Sequence, residues 1–193
     1  YKGGVNYTDT FGVTAIWESI IYRKLKSQKI VPPIKANDSH KTAFAGGYVK
    51  DPQVGMHEWV VSFDLNSLYP NIIVQYNMSP ETITTKFVKS DVEYYLDGNK
   101  AEVDSYAAAA NGSTYYKDYQ GVIPGIIVDY YDERSATKKL MLASQQEYEK
   151  NKTYELEKEI NRLENTQMAL KILLNSLYGA LGNQYFRYFD IRL

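Results

Sequence analysis

The sequence predicts an α+β fold, with strand-forming runs in the first two thirds of the chain and a long helical hairpin in the last third. Residues 127–183 are compatible with helix almost throughout, whereas residues 58–65 (EWVVSFDL) and 113–125 (STYYKDYQGVIPG) are rich in strand-forming residues. The chain has 193 residues, of which 44% are hydrophobic, and this is enough apolar material for a folded core. An antiparallel sheet with helices packed beside it is therefore expected.

Composition excludes several classes of function. The chain has no cysteine, which rules out disulfides and thiolate metal sites. Its net charge of -1 argues against a uniformly basic nucleic-acid coat but allows a local basic groove. No apolar run approaches the roughly 20 residues that a membrane-spanning helix requires, so no membrane association is expected.

The first elements lead to an aspartate at the end of a predicted strand. Residues 13–28 carry apolar side chains at helical spacing and predict an amphipathic helix. Residues 58–65 alternate like a strand, and residues 69–77 (YPNIIVQYN) predict a helix with Pro70 in its first turn. Asp64 stands between the two. Taken alone, it is either a capping or turn residue or a metal-binding carboxylate.

The remaining elements are a β-hairpin and a helical hairpin. We expect residues 113–125 to form a β-hairpin closed around 118–121. The helical run is weakest at 151–153, which predicts two antiparallel helices joined there. The second helix carries a seam of apolar residues interrupted by Gln167, typical of a helix packed on a neighbour. The seam consists of Leu156, Ile160, Leu163, Leu170, Leu174 and Leu177.

Basic residues gather at the base of the predicted hairpin. If the chain folds at 152–153, Arg134 and Lys171 both lie roughly 28 Å from the turn, at 1.5 Å per residue. Lys138 shares a face with Arg134, and Asn175 shares one with Lys171, by i, i+4 spacing. Such a set suits a polyphosphate, although a run of charge is more often simply a solvated helix face.

Three segments resemble motifs of the family B DNA polymerases, in particular the replicative enzymes of T-even-like phages. Residues 64–70 (DLNSLYP) resemble motif A. Residues 171–183 (KILLNSLYGALGN) resemble motif B, and residues 44–49 (FAGGYV) resemble the template-contacting Tyr-x-Gly-Gly motif, with phenylalanine in place of tyrosine. Motifs A and B in this order are very specific, and the resemblance covers nearly the whole chain.

The resemblance implies roles for the residues of motif A. Asp64 would be one of two carboxylates that hold a pair of Mg²⁺ ions, and the Leu65 carbonyl would complete an all-oxygen ligand set. The backbone N–H groups of Ser67 and Leu68 would bind the triphosphate of the incoming nucleotide. Tyr69 would lie under the sugar and exclude a 2′-hydroxyl.

The resemblance also assigns the hairpin and the template side. Four residues would grip the incoming deoxynucleotide, and they are the same four that the hairpin geometry selects: Arg134, Lys138, Lys171 and Asn175. Tyr178 and Gly179 would border the nascent base pair. The residues that would meet the template strand are Phe44, Gly46 and Gly47.

In terms of the family, the chain reads as part of a polymerase palm with a two-helix antiparallel fingers hairpin. Residues 1–40 would be a helical segment at the exonuclease–palm junction, and 41–126 the first part of the palm. Residues 127–180 would be the fingers, with motif B at their end, and 181–193 a return to the palm. Nothing in the sequence resembles motif C, which supplies the second metal carboxylate, and the thumb and exonuclease motifs are also missing.

Two classes of function follow from this. In the first, the chain is a catalytic part of a DNA-directed DNA polymerase, inactive alone, whether excised from a longer enzyme or produced by a split gene. Its expected partners are primer–template DNA, deoxynucleotides, a polypeptide with motif C and the thumb, and a sliding clamp, in the cytoplasm of an infected host cell. In the second, it is a non-catalytic nucleotide- or DNA-binding module that retains polymerase motifs.

Overall fold

The computed structural model describes residues 2–35, 49–88, 94, 97–99 and 105–193. Four helices and one three-stranded sheet make up the regular structure of these ranges, together with short 3₁₀ turns at Tyr7–Phe11 and Pro80–Thr82. The helices are α1 (Val13–Ser27), α2 (Leu68–Tyr76), α3 (Val122–Lys150) and α4 (Tyr154–Leu181). The strands are β1 (Ile83–Phe87), β2 (Tyr106–Ala108) and β3 (Ser113–Tyr116). This mixed architecture confirms the predicted α+β class.

The main core joins all four helices. Trp17 of α1 is fully buried, and its indole N–H donates to the Ser176 hydroxyl of α4 over 3.2 Å. Ile73 of α2, Ile123 of α3 and Leu177 of α4 are buried in the same cluster. The short helix α2 is therefore packed against the root of the long hairpin. Among the described residues, no helix combines the length and apolar composition needed to cross a bilayer.

The helical hairpin confirms the sequence prediction. α3 ends at Lys150 and α4 starts at Tyr154, so the turn falls where the helical signal is weakest. The Thr153 hydroxyl caps α4 by accepting a hydrogen bond from the Leu156 N–H. The apolar seam faces α3, and the polar Gln167 within it is buried and donates to Glu164 over 3.1 Å. α3 begins at Val122, five residues earlier than the run from 127 indicates.

The predicted β-hairpin around 118–121 is wrong. β3 pairs antiparallel with both neighbours, in the order β1-β3-β2, and the turn that joins β2 to β3 spans Ala109–Gly112. Gly112 has a φ of +88°, which suits glycine at the end of this turn. Residues 117–121 follow β3 and lead directly into α3. Their turn-forming residues therefore lie just before the start of that helix.

The predicted strand at residues 58–65 is also wrong. None of its residues takes part in a β-ladder, and its large side chains are exposed, with Trp59 at 95% and Phe63 at 91%. A strand needs a partner to satisfy its backbone groups, and no described segment pairs with this one. The sequence of this segment therefore alternates like a strand, but the segment joins no sheet among the described residues.

The residues after α4 fold back on the rest of the chain. Phe186 and Tyr188 are buried in the main core. The Arg187 guanidinium donates to the Pro33 carbonyl over 3.0 Å, and the Tyr115 hydroxyl of β3 donates to the Arg192 carbonyl over 2.5 Å. This tail thus ties the end of the hairpin to both the α1 region and the sheet.

Candidate active site

The first turn of α2 presents free backbone donors. Ser67 precedes the helix in the left-handed conformation, with φ of 51°, and its carbonyl accepts from the Asn71 N–H over 3.0 Å. The N–H groups of Leu68 and Tyr69 have no partner inside the helix, as at every helix start, and Pro70 has no N–H to satisfy. Because the helix dipole is positive at this end, the turn attracts an anion.

Asp64 lies directly before this turn in the exposed segment. Its carboxylate makes no hydrogen bond or ion pair with any described residue, so it is free to bind a cation. The Leu65 carbonyl follows it, and both donors are oxygens, the ligand type that Mg²⁺ prefers. Across the described ranges, no three acidic or histidine side chains come together as a metal cluster. The donors present fit Mg²⁺ in kind, and further carboxylates would be needed to complete a site.

The hairpin places its basic residues level with one another. Arg134 lies 16 residues before the end of α3, and Lys171 lies 17 residues after the start of α4. Since the two helices are antiparallel, the two residues stand at the same height, about 25 Å from the turn. Arg134 is half-buried, and its Nε is buried without a hydrogen-bond partner among the described residues. Lys138, Lys171 and Asn175 are exposed and likewise unpaired within those ranges.

Two acids of α3 near Arg134 form ion pairs with residues of other segments. Glu133 pairs with Lys2, and Asp129 pairs with Lys24 over 2.9 Å. At about 100° per residue, both acids lie at least 100° around the helix from Arg134. Lys2 and Lys24 therefore pair with these two acids, and among the described residues Arg134 has neither an ion-pair partner nor an acceptor for its Nε.

Tyr69 and Tyr178 bring the two halves of the site together. Their rings stack with centroids 4.4 Å apart and an interplanar angle of 14°. On α4, Tyr178 follows Lys171 and Asn175 at i+7 and i+3, so the three share one helix face. That face leads from Lys171 to the first turn of α2.

Gly179 follows Tyr178 and faces open space. A Cβ built at this position would meet no atom within 4 Å, and its backbone is ordinary helix rather than the left-handed conformation. A glycine inside a helix costs up to about 1 kcal/mol relative to alanine. The described residues supply no packing reason for this glycine.

The sequence did not predict the hydrogen bonds that hold α2 beside α3. Asn77 ends α2 in the left-handed conformation, with φ of 57°. Its side-chain N–H group donates to the carbonyls of Tyr116 and Tyr119 over 2.7 and 2.8 Å, and its Oδ1 accepts from the Gly121 N–H over 2.8 Å. An asparagine directly after a helical run is a known capping signal, so the role as a cap was predictable, although its partners were not.

Glu81 completes this support. One of its carboxylate oxygens accepts from the Val122 N–H at the start of α3 over 2.6 Å, and the other accepts from the Ser79 hydroxyl over 2.7 Å. The negative charge thus sits at the positive end of the α3 dipole. Together with Asn77, this anchors the root of the hairpin to the end of α2.

The structure therefore places Arg134 and Lys171 level with each other along the hairpin, and it brings Tyr178, on the same face as Lys171, against the α2 turn. Asp64 and Leu65 precede that turn but make no described side-chain contact with the basic residues. The residues expected to meet the template, Phe44, Gly46 and Gly47, lie outside the described residues.

Comparisons with known proteins identify the family. The family model for DNA polymerase family B matches residues 10–190. The chain is 31% identical to the DNA-directed DNA polymerase of Escherichia phage RB69 and 33% identical to that of Enterobacteria phage T4; each match covers all of the chain and 26% of the relative. A DNA polymerase of Thermococcus gorgonarius is 32% identical over 86% of the chain and 19% of its own length. The chain thus spans about a quarter or less of these curated relatives, and it belongs to DNA polymerase family B.

Proposed function

We propose that this chain supplies the nucleotide-gripping part of the active site of a DNA-directed DNA polymerase, which transfers deoxynucleotides to a primer 3′-hydroxyl under the direction of a template. The observation that carries the proposal is the Tyr69–Tyr178 stack, because it joins the motif A turn to the motif B helix face. The DNA-directed DNA polymerases among the relatives support the reaction class.

The triphosphate of the incoming nucleotide would lie between the α2 turn and the base of the hairpin. The N–H groups of Ser67 and Leu68 would bind phosphate oxygens at the positive end of α2. Arg134 supplies a guanidinium whose buried Nε lacks a described partner, and a phosphate oxygen would satisfy it. Lys138, Lys171 and Asn175 would complete the grip from nearby turns of the two helices.

Asp64 and the Leu65 carbonyl would hold the divalent metal. When bound, a pair of Mg²⁺ ions neutralises charge on the phosphates and activates the primer hydroxyl. The role of this chain is to place one carboxylate and one carbonyl at the start of α2, directly before the phosphate-binding turn. We assign the second carboxylate, which belongs to motif C, to another segment of the polymerase.

The sugar and base would occupy the end of α4. Tyr69 would crowd the 2′ position and so exclude ribonucleotides, and Tyr178 would border the nascent base pair. Gly179 leaves its side of the helix open, which suits close approach of a base pair. Phe44, Gly46 and Gly47 are proposed to meet the template strand, on the motif resemblance alone.

A working enzyme would require the rest of a polymerase core. We use the term completed polymerase for this chain combined with the family segment that carries motif C and the thumb, whether in one polypeptide or as a second chain. Primer–template DNA and deoxynucleotides are the proposed substrates. A sliding clamp is proposed as a further partner, and the cytoplasm of an infected host cell as the location.

Primer extension with Mg²⁺ tests the proposal. We expect no templated extension by this chain alone or by the complementing segment alone, and extension by the completed polymerase. Failure of every combination to extend a primer, together with retained binding of nucleotide or DNA by this chain, would favour a non-catalytic binding module instead. Extension by this chain alone would contradict the assignment of the second carboxylate to another segment.

A further inference from the structure

The ring of Tyr69 stacks on the ring of Tyr178. Both side chains are about half exposed, at 46% and 41%. Neither hydroxyl forms a hydrogen bond with a described residue, so the stack, and no polar contact within the described ranges, orients the Tyr69 ring. The position of Tyr69 therefore depends on the position of Tyr178.

Open space behind the pair makes this dependence consequential. A cavity of about 470 Å³, lined mainly by apolar side chains that include Ile72, Met78 and Phe189, reaches both tyrosine rings. If the ring of Tyr178 were removed, the cavity would grow, and Tyr69 could rotate into it. A Tyr69 ring that rotates in this way leaves the position that it holds when it is stacked on Tyr178.

Tyr178, in contrast, is held by its helix. Leu177 and Ala180, on either side of it in sequence, are completely buried in the main core. The α4 backbone at this point is therefore fixed, and Tyr178 forms the rigid member of the pair. Tyr69 stands in the first turn of α2, directly after the left-handed Ser67, where the backbone has fewer helical hydrogen bonds.

We infer that Tyr178 is a positioning residue for sugar selection: its ring holds Tyr69 where Tyr69 blocks a 2′-hydroxyl. This inference rests on the proposed function and adds to it, because the motif resemblance assigns Tyr178 to the base pair alone. The contact acts through the ring face and does not use the hydroxyl of either residue. A face contact of this kind changes an equilibrium by about 2- to 10-fold.

The test measures the ratio of ribonucleotide to deoxyribonucleotide incorporation, as kcat/KM, in the completed polymerase. Tyr69→Ala is expected to raise the ratio by several powers of ten, since relief of a steric clash is large. Tyr178→Ala should raise it by about 3- to 10-fold, and Tyr178→Phe, which keeps the ring, should leave it unchanged. Tyr185→Ala, an exposed tyrosine further along the chain, is the matched control and should also leave it unchanged.

A double mutant separates positioning from direct contact. If Tyr178 acts through Tyr69, Tyr69→Ala/Tyr178→Ala should show the same ratio as Tyr69→Ala alone. Additive effects, or an unchanged ratio in Tyr178→Ala, would overturn the inference while leaving the proposed function intact. If the wild-type completed polymerase does not extend a primer at all, the proposed function fails, and the inference fails with it.

Discussion

Asn77, which ends α2, accepts a hydrogen bond over 2.8 Å from the backbone N–H of Gly121, which precedes α3. This contact links α2, whose first turn holds Tyr69, to α3, which carries Arg134. The two phosphate-binding elements of the proposed site are thus tied together at the end opposite to the ligand. Their relative position therefore depends in part on Asn77, a buried residue that lies outside motifs A and B.

Replacing Asn77 should destabilise the fold. Asn77→Ala removes three hydrogen bonds and leaves buried partners unsatisfied, so we expect the free energy of unfolding to fall by about 2–4 kcal/mol. Asn77→Gly suits the left-handed backbone but loses the same hydrogen bonds. If those bonds dominate, it should lower the free energy of unfolding by a similar amount. Asn71→Ala, which removes one exposed hydrogen bond to the Asn66 carbonyl, should cost less than about 1 kcal/mol. Urea unfolding of the three variants measures the difference, and equal losses at Asn71 and Asn77 would contradict this account.

Gly179 and Gly121 should respond to alanine in opposite ways. A Cβ at Gly179 meets open space, so Gly179→Ala should stabilise the chain by up to about 1 kcal/mol. A Cβ at Gly121 would lie 2.8 Å from the Ser79 Cβ, so Gly121→Ala should destabilise the chain.

In the completed polymerase, Gly179→Ala should nonetheless lower primer extension, because its methyl group would enter the space proposed for the base pair. A Gly179→Ala enzyme that is both more stable and fully active would remove that role.

The helical part of the fold was predictable, and the strand part mostly was not. Helices satisfy their backbone groups within one segment, so apolar spacing located α1 and the hairpin correctly. Strands depend on partners that are distant in sequence. Residues 58–65 have the right alternation but no described partner, and the turn of the true β-hairpin, Ala109–Gly112, precedes the segment that was expected to form one.

The candidate site shows the same division between local and distant information. The level placement of Arg134 and Lys171 followed from counting residues along two helices, because helical rise is regular. The stack of Tyr69 on Tyr178 depends on how α2 packs against the root of the hairpin, and residue counting does not reach across that contact. The Arg134 Nε, which is buried without a partner among the residues that the structure describes, is likewise a product of packing.

Charge removal at the base of the hairpin should weaken nucleotide use. A charge-assisted hydrogen bond to phosphate is worth about 1.5–3 kcal/mol, which corresponds to one to two powers of ten in affinity. Arg134→Ala and Lys171→Ala in the completed polymerase should each raise the KM for deoxynucleotides by that order. Lys152→Ala, at the turn, is the matched control and should change little. Equal effects at all three positions would show that the base of the hairpin has no special role.

Alkaline pH should unfold the chain through its buried tyrosines. Burial raises the pKa of Tyr115 from 10.0 to about 12, and burial also raises the pKa of Tyr130 and Tyr188. The folded state therefore retains these protons more tightly than the unfolded state. This contribution is fully present below pH 10 and is lost as the pH rises through 12. Tyr115 alone should account for about 2–3 kcal/mol of lost stability across that interval.

Tyr115→Phe isolates this effect. The variant loses the hydrogen bond to the Arg192 carbonyl and should be about 1 kcal/mol less stable at neutral pH. Its stability should then decline less steeply than that of the wild type between pH 10 and 12. Tyr154→Phe, at an exposed position, should keep the wild-type dependence. Identical slopes for Tyr115→Phe and the wild type would assign the alkaline transition to other groups.

The most direct measurement of the central claim is single-turnover primer extension by the completed polymerase carrying Asp64→Asn. The substitution is nearly isosteric and removes only the negative charge that is proposed to hold the metal, while Asp118→Asn, an exposed aspartate after β3, serves as the control. The account predicts that Asp64→Asn lowers the extension rate by at least about three powers of ten, that thermal unfolding and assembly are unchanged, and that the control extends at the wild-type rate. An Asp64→Asn enzyme that extends primers at the wild-type rate would contradict the assignment of this chain to the catalytic centre.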